Sequence, residues 1–236
     1  MRSPGSAHYP RPVTSAAGPP PPGGSGDGGA AYADGFAAES PALQAARQRA
    51  LTSAGAFGTP APVEPAVGAL LAVLAAGLDA RAVVSIGSGG GVAGLWLLRG
   101  MRADGVLTAL DADPAELRAA RRAFTDAGVP NGRTRLIFGT PAEVLPRLSP
   151  AAYDLVTCSG PPVEYVAHLP ALLGLVRTGG SLICHGLLAG GRIADRSARD
   201  PESVAWRELA RKVREDETLI SAVLPIGAGL LVATKR

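Results

Sequence analysis

The stretch Val83-Val84-Ser85-Ile86-Gly87-Ser88-Gly89-Gly90-Gly91 decides how the chain reads. β-Branched residues run directly into four glycines within five positions, and an apolar helical pattern follows at once. That order reads as a buried strand, a tight turn and a helix start. Glycine has no Cβ to hold a ligand away, so the backbone of such a turn lies bare. Open α/β sheets bind ligands at this kind of place, beyond the carboxyl end of the first strand. The spacing is G-x-G-G-G followed by Val92, so the last glycine of G-x-G-x-x-G is missing. That counts against a dinucleotide and leaves a nucleoside ligand open.

Outward from the glycines, strand and helix alternate. The first strand spans 82–86, and the next helix carries Val92, Leu95, Trp96 and Leu98. A second strand, 106–110, ends on Asp111. Asp113 then caps a helix, with Pro114 at its first position and Glu116 closing a capping box. Leu117, Ala120 and Phe124 make the buried stripe, and Gly128 stops the helix. The third strand is 135–138, and Thr140-Pro141-Ala142-Glu143 reads as a second capping box. A fourth strand, 154–158, leads through Pro161 and Pro162 into a helix bearing Leu169, Leu172 and Leu175. Gly179-Gly180 turns into a fifth strand, 181–184. Asp200 and Pro201 open a helix with Trp206, Leu209 and Val213 inside and a Glu208–Lys212 pair outside. Two apolar runs, 219–224 and 230–234, close the chain as a hairpin. The expectation is an α/β fold: a mostly parallel sheet with helices on both faces and one antiparallel edge.

Upstream, residues 1–35 are rich in Pro and Gly and read as a disordered tail. Residues 36–236 then form a single domain that begins with N-terminal helices over 36–78. One of these opens at Pro65 with Val67, Leu70, Leu71 and Leu74 on its apolar face. The 236 residues, 47% of them hydrophobic, suffice for one full core. A formal charge of +3, with scattered arginines and few aromatics, gives no nucleic-acid surface. The longest apolar stretch, 66–78, is too short to span a bilayer, so no membrane role is expected. The N-terminus lacks the apolar core of a signal peptide, and two cysteines make no disulfide framework. Both features fit the reducing cytoplasm.

Asp111, at the end of the second strand, lies beside the glycine turn and is placed to accept the hydroxyl hydrogens of a ribose. Thr140 and Pro141 flank the same crevice, where an adenine can lie. Capping alone also explains Thr140.

Glycine loop, Asp111, Gly139-Thr140, Tyr153-Asp154-Leu155-Val156, Gly179-Gly180 and the closing hairpin occur in the order found in S-adenosylmethionine-dependent methyltransferases. The chain most resembles the O-methyltransferase family that includes the catechol and caffeoyl-coenzyme A enzymes, over roughly residues 55–236. Pro65-Ala66-Val67-Gly68, Gly190-Gly191-Arg192-Ile193-Ala194-Asp195 and Pro225-Ile226-Gly227-Ala228-Gly229 add to the likeness. The resemblance implies a Rossmann-like class I methyltransferase fold with a seven-stranded sheet and S-adenosylmethionine as cofactor. It implies that Gly87, Ser88, Gly89 and Gly91 pass under the methionine part, with Ser159 nearby. It implies that Asp111 and Ala112 meet the ribose, that Thr140 and Pro141 border the adenine, and that the protein forms a homodimer through its N-terminal helices.

The departures concern chemistry. Ser85 stands where the family has an acid, which removes one anchor for the cofactor's cationic end. Many members end the fourth strand in Asp-Ala-Asp-Lys, whose first Asp binds a divalent metal and whose Lys helps deprotonate the substrate. Here the residues are Ser159-Gly160-Pro161-Pro162. The metal-binding Asp-Asn after the fifth strand is His185-Gly186. Such a set makes no octahedral oxygen site, so no Mg²⁺ or Ca²⁺ is expected. A zinc site from Cys158, Cys184 and His185 is disfavoured, since neighbouring strand residues face opposite ways. His185 becomes the candidate general base. Glu164, Tyr165 and His168 are placed to line an acceptor pocket, with loops 159–165 and 186–199 around it. The expected activity is metal-independent methyl transfer to the hydroxyl of a small-molecule acceptor. The alternatives are a binding module on a degenerate methyltransferase fold and a nicotinamide-dependent oxidoreductase, the latter disfavoured by the glycine spacing and hairpin.

Overall fold

The computed structural model describes residues 26–54 and 61–236. Seven strands form one sheet: β1 (Ala82–Ile86), β2 (Val106–Asp111), β3 (Thr134–Phe138), β4 (Tyr153–Cys158), β5 (Val176–His185), β6 (Leu219–Leu224) and β7 (Leu230–Lys235). Their order is β3-β2-β1-β4-β5-β7-β6. The pairs β1/β2, β2/β3, β1/β4 and β4/β5 run parallel, and only the two pairs involving β7 are antiparallel. Chain order reverses at β1, between β2 and β4, which opens a crevice beyond the carboxyl end of β1.

Alternation along the strands feeds two hydrophobic layers. Val83, Leu155 and Ile183 face one core, under α2 (Pro41–Ser53), α3 (Pro65–Gly77), α4 (Val92–Gly100) and α5 (Pro114–Asp126). Val84, Val156 and Leu182 face the other, under α7 (Pro162–Leu175) and α8 (Pro201–Glu215). The short helix α6 (Pro141–Val144) covers the end of the second layer. On α3, Val67 and Leu71 are buried, each stabilising the fold by roughly 1.5–3 kcal/mol. Ser40, Asp113 and Asp200 accept a backbone N–H at the starts of α2, α5 and α8, and a proline opens each helix. The Lys212–Glu208 pair spans 3.1 Å on the exposed face of α8.

Three expectations need correcting. Helix α1 (Gly26–Phe36) occupies part of the segment read as a disordered tail, while residues 1–25 lie outside the described residues. β5 begins at Val176 rather than at residue 181. Its register with β4 jumps from Tyr153↔Val176 to Leu155↔Ser181, and Gly179-Gly180 absorb the extra residues as a bulge. Glu116 does not close a capping box on α5. Asp113 N–H donates to Asp111 Oδ1 instead, and Glu116 reaches the glycine loop.

Candidate active site

The glycine loop is clamped from three sides. Gly87 N–H donates to the Leu110 carbonyl at 3.1 Å, and Ser159 N–H donates to the Ile86 carbonyl at 2.9 Å. Gly87 has φ +78°, and a Cβ there would stand 2.5 Å from the Ser159 carbonyl oxygen. Position 87 therefore admits only glycine without displacing the end of β4. Asp111 Oδ2 accepts both Ser88 N–H, at 2.7 Å, and Ser88 Oγ–H, at 2.9 Å. Glu116 Oε2 accepts Gly90 N–H at 2.7 Å. Two carboxylates thus fix the loop's shape. Burial pushes the Glu116 carboxyl above its usual range, and negative Asp111 and Asp113 add to this against the pull of the Gly90 N–H.

A cavity of about 360 Å³ lies over this loop, within the ~300–1,000 Å³ range of small-molecule sites. Of the residues expected at a cofactor, Gly87, Gly89, Asp111, Ala112, Pro141 and Ser159 line it. Ser88, Gly91 and Thr140 do not. Ser88 is buried with its hydroxyl on Asp111. Gly91 packs against Ala120 of α5. Thr140 gives both its N–H and its hydroxyl to the Glu143 carboxylate, at 2.9 and 3.0 Å. Glu164 and Tyr165, expected at an acceptor pocket, line this first cavity instead, and His168 lines neither cavity. Sequence reading missed Glu116 on the cavity wall, although it lies one helical turn past the Asp113 cap. Ser85 is buried in the sheet away from the cavity, and neither its Oγ nor that of its register partner Thr157 has a hydrogen-bond partner among the described residues.

A second cavity of about 680 Å³ adjoins the first, and the two share Ala61, Ser159, Gly160 and Pro161. His185, Glu64, Trp206 and Ala228 stand on its wall. His185 follows Ile183 on the face of β5 that meets α3, while Cys184 faces the opposite core beside Cys158. Glu64, at the N-terminus of α3, accepts from or donates to His185 Nε2 through Oε2 at 2.8 Å. Its Oε1 accepts Ala228 N–H from the β6–β7 turn, also at 2.8 Å. Burial pushes the Glu64 carboxyl up, but the hydrogen bond and attraction to His185, with its backbone N–H bonds, outweigh it and hold it below the usual range. An ionised Glu64 only accepts, so Nε2 carries the hydrogen. No signal in the sequence pointed to Glu64.

The divalent cation bound by many members of the resembling family does not fit this wall. Ser159, Gly160, His185 and Gly186 supply one hydroxyl and one imidazole where six or more oxygens are wanted. The carboxylates nearby are engaged: Glu64 as above, Asp200 with Ser203 N–H, and Glu202 with Arg192.

Over residues 36–236 the sequence matches the family model for O-methyltransferase. The chain belongs to the O-methyltransferase family. "Probable O-methyltransferase Rv1220c" of Mycobacterium tuberculosis is 47% identical over 205 residues, covering 87% of this chain and 89% of that one. A Corynebacterium glutamicum protein of known crystal structure superposes with a TM-score of 0.78 at 33% identity, covering 86% of this O-methyltransferase and 94% of its own chain. The O-methyltransferase from Bacillus cereus in complex with SAH shares the fold at 22% identity, TM-score 0.78, covering 89% and 97% of the two chains. No helix among the described residues is long and apolar enough to cross a membrane.

Proposed function

We propose that this O-methyltransferase moves the methyl group of S-adenosylmethionine to a hydroxyl of a small molecule without a bound divalent metal. The observation that carries this reading is the pair of cavities meeting over Ser159–Pro161. One is built on the glycine loop and Asp111. The other is walled by the His185 imidazole, and no group of three or more His, Cys, Asp or Glu able to hold a metal lies among the described residues. When bound, S-adenosylmethionine supplies an activated methyl group with its own leaving group. The chain's work is to position the acceptor and take its proton. Gly87 and Gly89 form the floor for the methionine part, Asp111 and Ala112 face the ribose, and Pro141 borders the base. Ser159 lies on the shared boundary, where donor and acceptor meet. His185, on the acceptor wall, receives the hydroxyl proton.

Two further elements belong to the proposal. The protein is cytoplasmic, consistent with Cys158 and Cys184, neighbours in register on β4 and β5, remaining free thiols. It pairs through its N-terminal helices, where Tyr32 and Phe36 are stacked and 75% and 79% exposed.

The deciding experiment is calorimetric titration with S-adenosylmethionine in the presence of EDTA. Saturable binding with Kd of ~1–100 μM is expected, about −5.5 to −8 kcal/mol. Absence of binding at millimolar ligand defeats the reading.

A further inference from the structure

We infer that Glu64 is a positioning residue that fixes the tautomer of His185, so that Nδ1 is the base. This deepens the methyltransferase reading above and rests on it. Glu64 and His185 lie 121 positions apart, yet their side chains meet at 2.8 Å on the wall of the acceptor cavity. The contact is built from three elements. The N-terminus of α3 presents Glu64, β5 presents His185, and the β6–β7 turn holds the second carboxylate oxygen through Ala228 N–H. Gly227, at φ +51°, lets that turn lie against the carboxylate, for any Cβ there would overlap Glu64 Oε2.

A carboxylate is needed because two donors converge on one side chain. Each oxygen serves one: Oε1 takes Ala228 N–H and Oε2 takes His185 Nε2–H. A carboxamide of the same shape has one acceptor. The backbone N–H of Ala228 cannot change sign, so the amide oxygen of Glu64→Gln stays there and its NH₂ meets Nε2. That nitrogen must then accept, and the hydrogen moves to Nδ1. With Nε2 engaged by Glu64, Nδ1 is the nitrogen left for the acceptor.

In the step itself the acceptor O–H bond breaks and its proton passes to Nδ1. The oxygen pair forms the new O–CH₃ bond. The S–CH₃ pair returns to sulfur, leaving S-adenosylhomocysteine and an imidazolium stabilised by Glu64.

The test has two arms on the full-length protein with S-adenosylmethionine bound. In the first, ¹⁵N-histidine NMR identifies the hydrogen-bearing ring nitrogen of His185 in wild type and in Glu64→Gln. The expected result is Nε2–H in wild type and Nδ1–H in the variant. In the second, labelled methyl transfer to catechol as the hydroxyl probe is measured in both proteins. Expected are a fall in kcat of ~10²–10⁴-fold in Glu64→Gln, and KM and cofactor Kd within a few-fold of wild type. Nδ1–H in the wild type overturns the base pair, and that arm needs no variant that folds. An unchanged kcat in Glu64→Gln overturns it equally. Cofactor binding without transfer to catechol in the wild type overturns the methyl-transfer reading, while the ring nitrogen seen by NMR still decides the Glu64–His185 pairing.

Discussion

Glu116 offers the sharpest test of how the glycine loop is held. Its carboxylate is buried and accepts Gly90 N–H at 2.7 Å. Replacing Glu116 by Ala leaves that N–H without its acceptor inside the protein, at a cost of about 1–3 kcal/mol. With a urea dependence of ~2–3 kcal/mol/M for a chain this size, the midpoint should fall by about 0.3–1.5 M. Glu116→Gln keeps an acceptor for Gly90 and should stay within ~1 kcal/mol of wild type at pH 8. The two variants differ in a second way, because only the wild type titrates. The folded carboxyl binds its proton more readily than the unfolded one, whose value is about 4.3. Between the two values the native state holds more protons, so its stability rises as pH falls. Wild type should therefore gain on Glu116→Gln as pH is lowered from 8 through the raised native value, and the gain should level off below about 4. Paired urea titrations across that range measure the difference directly and cancel the other carboxylates. An Ala variant as stable as wild type, or a difference curve of opposite slope, would refute the clamp.

Two more outcomes follow from the same geometry. Gly87→Ala combines a left-handed φ of +78° with a Cβ 2.5 Å from the Ser159 carbonyl, and should cost ~2–5 kcal/mol and weaken S-adenosylmethionine at least tenfold by calorimetry. Asp154 accepts Arg81 N–H, Ala82 N–H and Arg177 Nε–H at 2.7, 2.9 and 2.7 Å, so Asp154→Ala should destabilise by ~3–5 kcal/mol in urea, with little credit to the partly exposed Arg177. Burial pushes the Asp154 carboxyl up, but its N–H and Arg177 bonds outweigh this and lower it. Its contribution is thus complete above the unfolded value of about 3.9 and is lost as pH falls through the lower native value, so the Asp154→Ala deficit should shrink on the acid side.

What the sequence revealed depended on how local the cause was. The alternation of β-branched runs with helices placed β1, β2 and β4 within a residue, because side-chain period and turn glycines act over a few positions. Asp113 and Asp200 were readable as caps for the same reason. Non-local competition defeated the rest. Glu116 has the spacing of a capping box, yet a buried N–H from a loop 26 positions earlier takes its carboxylate. Gly179-Gly180 look like a turn, yet pairing with β4 carries the strand through them. Glu64 carries no local signature, since its two partners are 121 and 164 positions away. His185 was legible only as a replaced residue, and its partner needed the fold.

Asp111 carries more bonds than the proposed ribose role alone would give it. A carboxylate offers about four lone-pair sites. Ser88 N–H and Oγ–H occupy both on Oδ2, and Asp113 N–H takes one on Oδ1. One site remains, so Asp111 cannot accept two ribose hydrogens while all three bonds persist. The backbone donors are fixed by the loop and by the start of α5, whereas the Ser88 hydroxyl can rotate. A ribose gripped through two hydroxyls must therefore displace Ser88 Oγ–H from Oδ2. The acid at the end of β2 shapes the glycine loop through Ser88, and in the proposed ribose role the Ser88 hydroxyl is the bond that yields.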